Sequence, residues 1–276
     1  MDSGTDTVRA WIEDGVGVIE FNRPERSNAL HPDMYDAVPK LVEYYNSDDS
    51  VGCILITAAG KAFCAGGDVQ AGVEASRKAA AAGEPVRRPQ VYEHGGALTH
   101  SARMVLMLQE SPKLSIAALP GAAVGAGMGV ALAADFRIAA ESAKLITGWG
   151  NLAFSGDFGG TWFLTRMVGS SRALELLVSN RPISAPEALA LGLFNRVVPD
   201  ADLNGAAMDW ARSIASGPRN TYRLMKENVR DNERLSLREA LPRESARQAE
   251  AGASDDHRQA VRRWLKAAEA KRNAAN

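Results

Sequence analysis

Two glycine-rich turns carry the residues of this sequence best suited to chemistry. Residues 61–68 read KAFCAGGD after an apolar run, and glycines in such a turn let successive backbone N–H groups face a ligand. Residues 121–129 read GAAVGAGMG and lead into a small-residue helical stretch. They form either a helix N-terminus prepared for negative charge or a place where a helix packs closely on a strand. Taken singly, neither turn decides between these uses. A dinucleotide-binding turn is disfavoured, because Gly125 to Gly129 does not keep the G-x-G-x-x-G spacing.

Each turn needs a strand before it and a helix after it. The apolar run GCILIT at 52–57 precedes the first turn and SIAAL at 115–119 the second, with a helix expected from Ala126 to Ala134. Upstream, VRAWIEDGVGVIEF at 8–21 is two alternating runs around Asp14-Gly15, a hairpin signal. A helix is expected over 31–46 through Met34, Val38, Leu41, Val42 and Tyr45, with Pro39 disturbing its regularity. Strands at 136–139, 143–146 and 195–199 and a helix at 162–168 complete an α/β core, here bounded at 1–205.

From about Ala201 the pattern is helical and charged, with breaks at Gly217-Pro218, Asp231-Asn232 and Gly252. Residues 206–276 are therefore expected to form an α-helical region that packs on its own core or on another subunit. The stretch 71–90, AGVEASRKAAAAGEPVRRPQ, reads as a short helix and a surface loop beside the first turn. It is either a lid or a plain solvated loop.

A chain of 276 residues can bury a large core. With 24% charged residues and a net charge of -1, no bulk field draws it to nucleic acid, and an anionic ligand must be met by local groups. Two cysteines, Cys53 and Cys64, cannot build a disulfide framework and suit a reducing compartment. The opening MDSGTDTVRA has no basic n-region or apolar h-region, and no run reaches spanning length, so a cytoplasmic protein without membrane partners is expected. No metal-ligand set is expected either.

Four motifs in order identify a family. FNRPERSNAL, FCAGGD, the glycine-rich turn running into AADFRIAAESAKL, and GDFGGTWFLTRMVG together resemble the enoyl-CoA hydratase/isomerase family, the crotonase superfamily, from about Val16 to Lys271. The resemblance implies a spiral of ββα units, a C-terminal helical trimerisation region, and trimers or hexamers. It implies an acyl-CoA thioester as substrate, with coenzyme A as part of that substrate and no separate cofactor. Two backbone N–H groups, those of Gly67 and Ala126, would form an oxyanion hole; fixed donors there stabilise charge that develops on the thioester oxygen. For the CoA moiety it implies a site built from Arg26, Ala29, Leu30, Ala65, Gly66, Asp68, Val69 and Gly125, with Arg26 meeting phosphate or remaining a solvated arginine.

The sequence departs from the family's hydratases. Their two glutamates, which activate one water and deliver its proton, fall here on Gly129 and Trp149. An acid stands instead at Asp157. That position carries the working aspartate in the phenylacetate-pathway isomerases, which share D-x-GGTW, and in the 4-chlorobenzoyl-CoA dehalogenases, which pair it with a tryptophan at the Trp149 position. An isomerase needs one base, and burial of Asp157 beside Phe154, Phe158 and Trp162 would raise its pKa toward that task. A dehalogenase would use Asp157 as nucleophile with a histidine to activate water, for which His100 is the candidate. Hydrolysis of the thioester through Asp157, a hydratase, and a non-catalytic binding homologue are the remaining readings. Asp157 as a helix N-cap and His100 as a solvated surface residue are the structural alternatives. The expected catalytic set is Asp157, Gly67, Ala126 and Trp149.

Overall fold

The computed structural model describes residues 3–82 and 100–275. Asp14 and Gly15 both take positive φ, 51° and 80°, as a two-residue hairpin turn requires. They join β1 (Val8–Glu13) to β2 (Val16–Phe21) in antiparallel register, with Glu13 opposite Val16. The chain then enters α1 (Pro32–Ser47), whose buried face holds Met34, Val38, Leu41, Val42 and Tyr45; Pro39 lies inside without ending the helix.

Three strand pairs follow: β3 (Cys53–Ala58) with β4 (Ala62–Cys64), β5 (Leu114–Leu119) with β6 (Ala122–Val124), and β7 (Phe136–Ala140) with β8 (Lys144–Ile146). The first strand of each pair lies in a six-stranded sheet ordered β1-β2-β3-β5-β7-β10, and the second in a four-stranded sheet ordered β4-β6-β8-β9. Strands β9 (Ile183–Ser184) and β10 (Arg196–Val198) complete the two sheets. Within both sheets the successive pairs advance in parallel. A helix follows each pair: α2 (Val69–Ala81) after the first, α4 (Ala126–Ala133) after the second, and α5 (Gly160–Val168) after the third. This is the expected α/β spiral of ββα units. Helix α3 (Arg103–Glu110) lies before β5, while α6 (Ser170–Ser179) and α7 (Ala185–Ala190) lie after α5.

The expected short helix at 71–90 is the thirteen-residue α2; residues 83–90 of that stretch lie outside the described residues.

From Leu203 every element is helical: α8 (Leu203–Ala215), α9 (Arg219–Asn232), α10 (Leu237–Ala253) and α11 (Asp255–Ala275). The boundary expected between 205 and 206 falls inside α8. That helix buries Leu203, Ala207, Ala211 and Ile214 and packs on strands of the larger sheet. Helix α9 is tied to the core by the buried Lys226, whose ammonium donates 2.7 Å to Asp135 Oδ2 and 3.2 Å to the Lys113 carbonyl. Farther on, α11 leaves Val261, Trp264 and Leu265 exposed. Among the described residues no helix is long and apolar enough to cross a membrane.

Candidate active site

The two glycine-rich turns lie against each other because each follows the second strand of a ββ pair, and those strands, β4 and β6, are hydrogen-bonded neighbours. Gly66 makes the contact: at φ +88° it adopts backbone that L side chains rarely take, and a β-carbon there would come 2.9 Å from the Val124 carbonyl oxygen and 3.7 Å from the Ala126 nitrogen. Gly67 and Ala126 are thus on adjoining turns. Among the described residues neither of their N–H groups donates to a protein acceptor. The open space differs between them. A β-carbon on Gly67 would meet nothing within 4 Å, whereas Ala126 is buried at the first position of α4, where the helix dipole favours negative charge.

Asp157 reaches this place through a tight turn. Its carbonyl accepts from Gly160 N at 2.9 Å, with Phe158 and Gly159 between them at φ 48° and 69°. A non-glycine residue in left-handed backbone is a strained device that persists where surrounding structure holds it. The side chain does not cap α5, whose N-cap is Gly159 without any side-chain capping bond; this removes the capping alternative. Instead Trp149 Nε1 donates to Asp157 Oδ1 at 2.7 Å.

Trp149 is only 5% exposed. Glycines make its slot: a β-carbon at Gly160 would collide with the indole ring, and one at Gly125 would lie 3.7 Å from Nε1. The Trp149–Asp157 pair therefore stands beside the turn that presents Ala126. Burial pushes the Asp157 carboxyl above its ordinary value, and the Trp149 hydrogen bond pulls in the opposite direction.

The place where the family's hydratases carry their first glutamate is closed. A β-carbon on Gly129 would come 2.5 Å from the Phe158 carbonyl oxygen, so the left-handed Phe158 occupies that volume with its backbone. Its partner position is filled by the Trp149 indole. Cys64, at the end of β4, is fully buried with its thiol pushed up to about 12 by burial, which leaves little thiolate for nucleophilic use.

Residues expected to hold coenzyme A divide into wall and scaffold. Arg26, Ala29, Ala65, Gly67, Asp68 and Val69 line one cavity of about 390 Å³. Leu30 and Gly66 are buried and act through backbone: Leu30 N donates to Gly66 O at 2.8 Å, and Ala65 N donates to Ser27 O at 3.0 Å. Asp68 faces inward, 3.1 Å from Arg23 and 3.4 Å from Arg26. It therefore presents a guanidinium-paired carboxylate to that cavity's floor. Arg26 lines the cavity, with Asp68 offsetting part of its charge.

Sequence reasoning missed three supporting residues. Arg23 also donates 2.6 Å to the Ala29 carbonyl. Asn28, fully buried, bonds the Ala59 and Ala62 carbonyls, each at 2.8 Å, and fixes the 27–30 loop against the first turn. Tyr35 on α1 sets its ring 6.1 Å from Phe158. The only sequence signal for the first two was their place in NRPERSNAL; Tyr35 had none.

Some expected residues stand elsewhere. His100 pairs through Nε2 with Asp36 at 3.3 Å on a side chain 62% exposed, and among the described residues it makes no bond to Asp157. Of the apolar residues expected around Asp157, Phe154 is exposed. Trp162, stacked under Arg166, lines a separate cavity of about 700 Å³ with Phe163, Arg230 and Arg247. That larger cavity holds none of the residues from the two glycine-rich turns.

Turn, slot and spiral together are the marks of a CoA-thioester enzyme fold. The enoyl-CoA hydratase/isomerase family model matches residues 11–272, and the chain belongs to this family. It is 34% identical over 259 residues, 94% of this chain and 95% of the relative, to the 1,2-epoxyphenylacetyl-CoA isomerase of Escherichia coli K12. It is 32% identical over 224 residues, 81% of this chain and 78% of the relative, to 4-chlorobenzoyl coenzyme A dehalogenase-2 of an Arthrobacter species. Among solved structures, an enoyl-CoA hydratase from Bacillus anthracis superposes with a TM-score of 0.83 at 29% identity, covering 94% of this chain and 96% of that one.

Proposed function

We propose that this protein is an acyl-CoA isomerase that moves a double bond by one-base proton transfer. In this reading the thioester oxygen sits between the Gly67 and Ala126 N–H groups. Asp157 takes a proton from the α-carbon of a 3-enoyl thioester, the C–H electron pair delocalises onto the thioester oxygen as a dienolate, and Asp157 returns the proton at the γ-carbon. Nothing is gained or lost. Donors fixed at the oxygen lower the barrier to that charge, and a carboxyl with a raised pKa is better matched to moving a carbon-bound proton near neutrality.

The observation that carries this reading is that the Asp157 carboxylate stands by the turn that presents Ala126, while both hydratase glutamate positions are filled, by Phe158 backbone against Gly129 and by Trp149. Similarity to a 1,2-epoxyphenylacetyl-CoA isomerase adds support. The Trp149–Asp157 bond also favours a second reading, Asp157 as a nucleophile toward an aryl carbon, as in the similar dehalogenase. Against it, His100 is engaged by Asp36. We further take the enzyme to work in the cytoplasm, with CoA only as part of its substrate. The exposed Val261, Trp264 and Leu265 on α11 support assembly as a trimer or hexamer.

The test is incubation with 3-enoyl-, 2-enoyl-, epoxyphenylacetyl- and 4-chlorobenzoyl-CoA, followed by product mass and absorbance. Shifted double bonds or rearranged epoxide with no water added are expected. Rapid hydration of crotonyl-CoA, chloride release, or free CoA as the main product would overturn the isomerase reading.

A further inference from the structure

Tyr35 has a place in this site that no motif assigns to it. It leaves α1 half-buried, its ring 6.1 Å from that of Phe158 at a 45° tilt. Phe158 follows Asp157 directly, so the phenol lies against the turn that carries the candidate base. Three titratable groups lie near its hydroxyl: the neutral Cys64 thiol at the end of β4, Asp157, and Asp68 beside Gly67. They belong to the first glycine-rich turn and to the turn of Asp157, so the phenol lies near both.

None of those neighbours bonds it, and among the described residues the Tyr35 hydroxyl has no hydrogen-bond partner. Asp157 Oδ1 already accepts from Trp149, Asp68 is held by Arg23 and Arg26, and the Cys64 thiol is buried. Burial first, and then the nearby negative charges, raise the phenol above its ordinary pKa. It stays protonated at neutral pH and offers a donor. A half-buried donor that no described residue engages is open to water or to a ligand atom. The ring surface beside it, that of Phe158, is apolar.

We propose that Tyr35 is a specificity-determining hydrogen-bond donor to an oxygen on the acyl group, so that this site favours acyl-CoA thioesters bearing a hydroxyl, ether or epoxide oxygen over plain hydrocarbon ones. The inference rests on the acyl-CoA reading given above and goes beyond it by naming the substrate class. A site that hydrogen-bonds a ligand hydroxyl discriminates against an analogue lacking it, because its own polar group is then left unpaired. One neutral hydrogen bond corresponds to a preference of about tenfold at most in affinity.

Binding tests this without turnover. Titration calorimetry is run with phenylacetyl-CoA and with its 2-, 3- and 4-hydroxy derivatives on the wild type, Tyr35→Phe and Asp157→Asn. At least one hydroxy isomer is expected to bind the wild type roughly five- to tenfold tighter than phenylacetyl-CoA. That preference should fall to within about twofold in Tyr35→Phe and persist in Asp157→Asn. Equal binding of all four ligands to the wild type, or the same preference in Tyr35→Phe, overturns the proposal. Failure of the wild type to isomerise any enoyl thioester, with the binding pattern intact, removes the isomerase reading and leaves Tyr35 standing. Absence of binding by every thioester removes both.

Discussion

Trp149 Nε1 and Asp157 Oδ1 stand 2.7 Å apart, eight residues apart in sequence, and the indole that makes the bond is seated between Gly125 and Gly160. The bond fixes one carboxylate oxygen and leaves the other available. It also sets the carboxyl's protonation against its burial, which yields the first prediction.

Replacing Trp149 by Phe removes the one interaction that lowers the Asp157 pKa and keeps the desolvation that raises it. The acid limb of the kcat/KM profile is therefore expected to move to higher pH. A titration of rate against pH for both proteins checks this; an unmoved limb would mean that Asp157 does not govern the profile.

Asp157→Asn is expected to lower kcat by about 10²- to 10⁴-fold and to make the protein more stable at neutral pH. The sign follows from the raised pKa. A carboxyl whose folded value exceeds its unfolded one contributes stability that is fully present below the unfolded value and is lost as pH rises through the folded value. The melting temperature should rise at pH 7.5, with the gain shrinking as pH falls toward 4. A variant less stable than wild type at pH 7.5 would contradict the desolvation argument.

Ala126 occupies the first position of α4, where proline is accepted because that N–H has no intrahelical partner. Ala126→Pro should fold with a melting temperature close to wild type. Its turnover should fall at least tenfold, toward the roughly 10²- to 10³-fold typical of one lost oxyanion donor. Full activity in the folded variant would reject Ala126 as a donor.

Arg23→Ala removes one guanidinium from the 7% exposed Asp68 side chain, leaves Arg26 beside it and frees the Ala29 carbonyl. We expect a loss of about 2 kcal/mol in urea unfolding, less than the roughly 3 to 5 kcal/mol for a fully broken buried pair because one guanidinium remains. Weaker binding of acetoacetyl-CoA should accompany it, since the 27–30 loop loses a brace. A stability change below about 0.5 kcal/mol, the usual range for surface substitutions, would show the pair to be solvated.

The hairpin, the first helix and strands β3, β5 and β7 of the larger sheet were legible because each runs for five residues or more with a clear apolar pattern, as in CILITA and LSIAAL. Strands β4 and β6 were not. At three residues each, inside AFC and AAV, they show no alternation and read as parts of turns. The site divides the same way. Gly67, Ala126, Trp149 and Asp157 could be named from motif context, since their order along the chain is local information. Tyr35, and the engagement of His100 by Asp36, depend on which face of α1 meets which loop, and that is decided by packing between segments far apart in sequence.

The contact between Gly129 and the left-handed Phe158 also bears on how this chain could change its reaction. Installing a glutamate at position 129 is one codon's work, but the side chain would have to pass through a peptide carbonyl. The turn at 157–160 would first have to be rebuilt, and it is that turn which carries Asp157. A two-glutamate site is therefore separated from the present one in this scaffold by a backbone rearrangement, which an evolving lineage or a designer would have to cross.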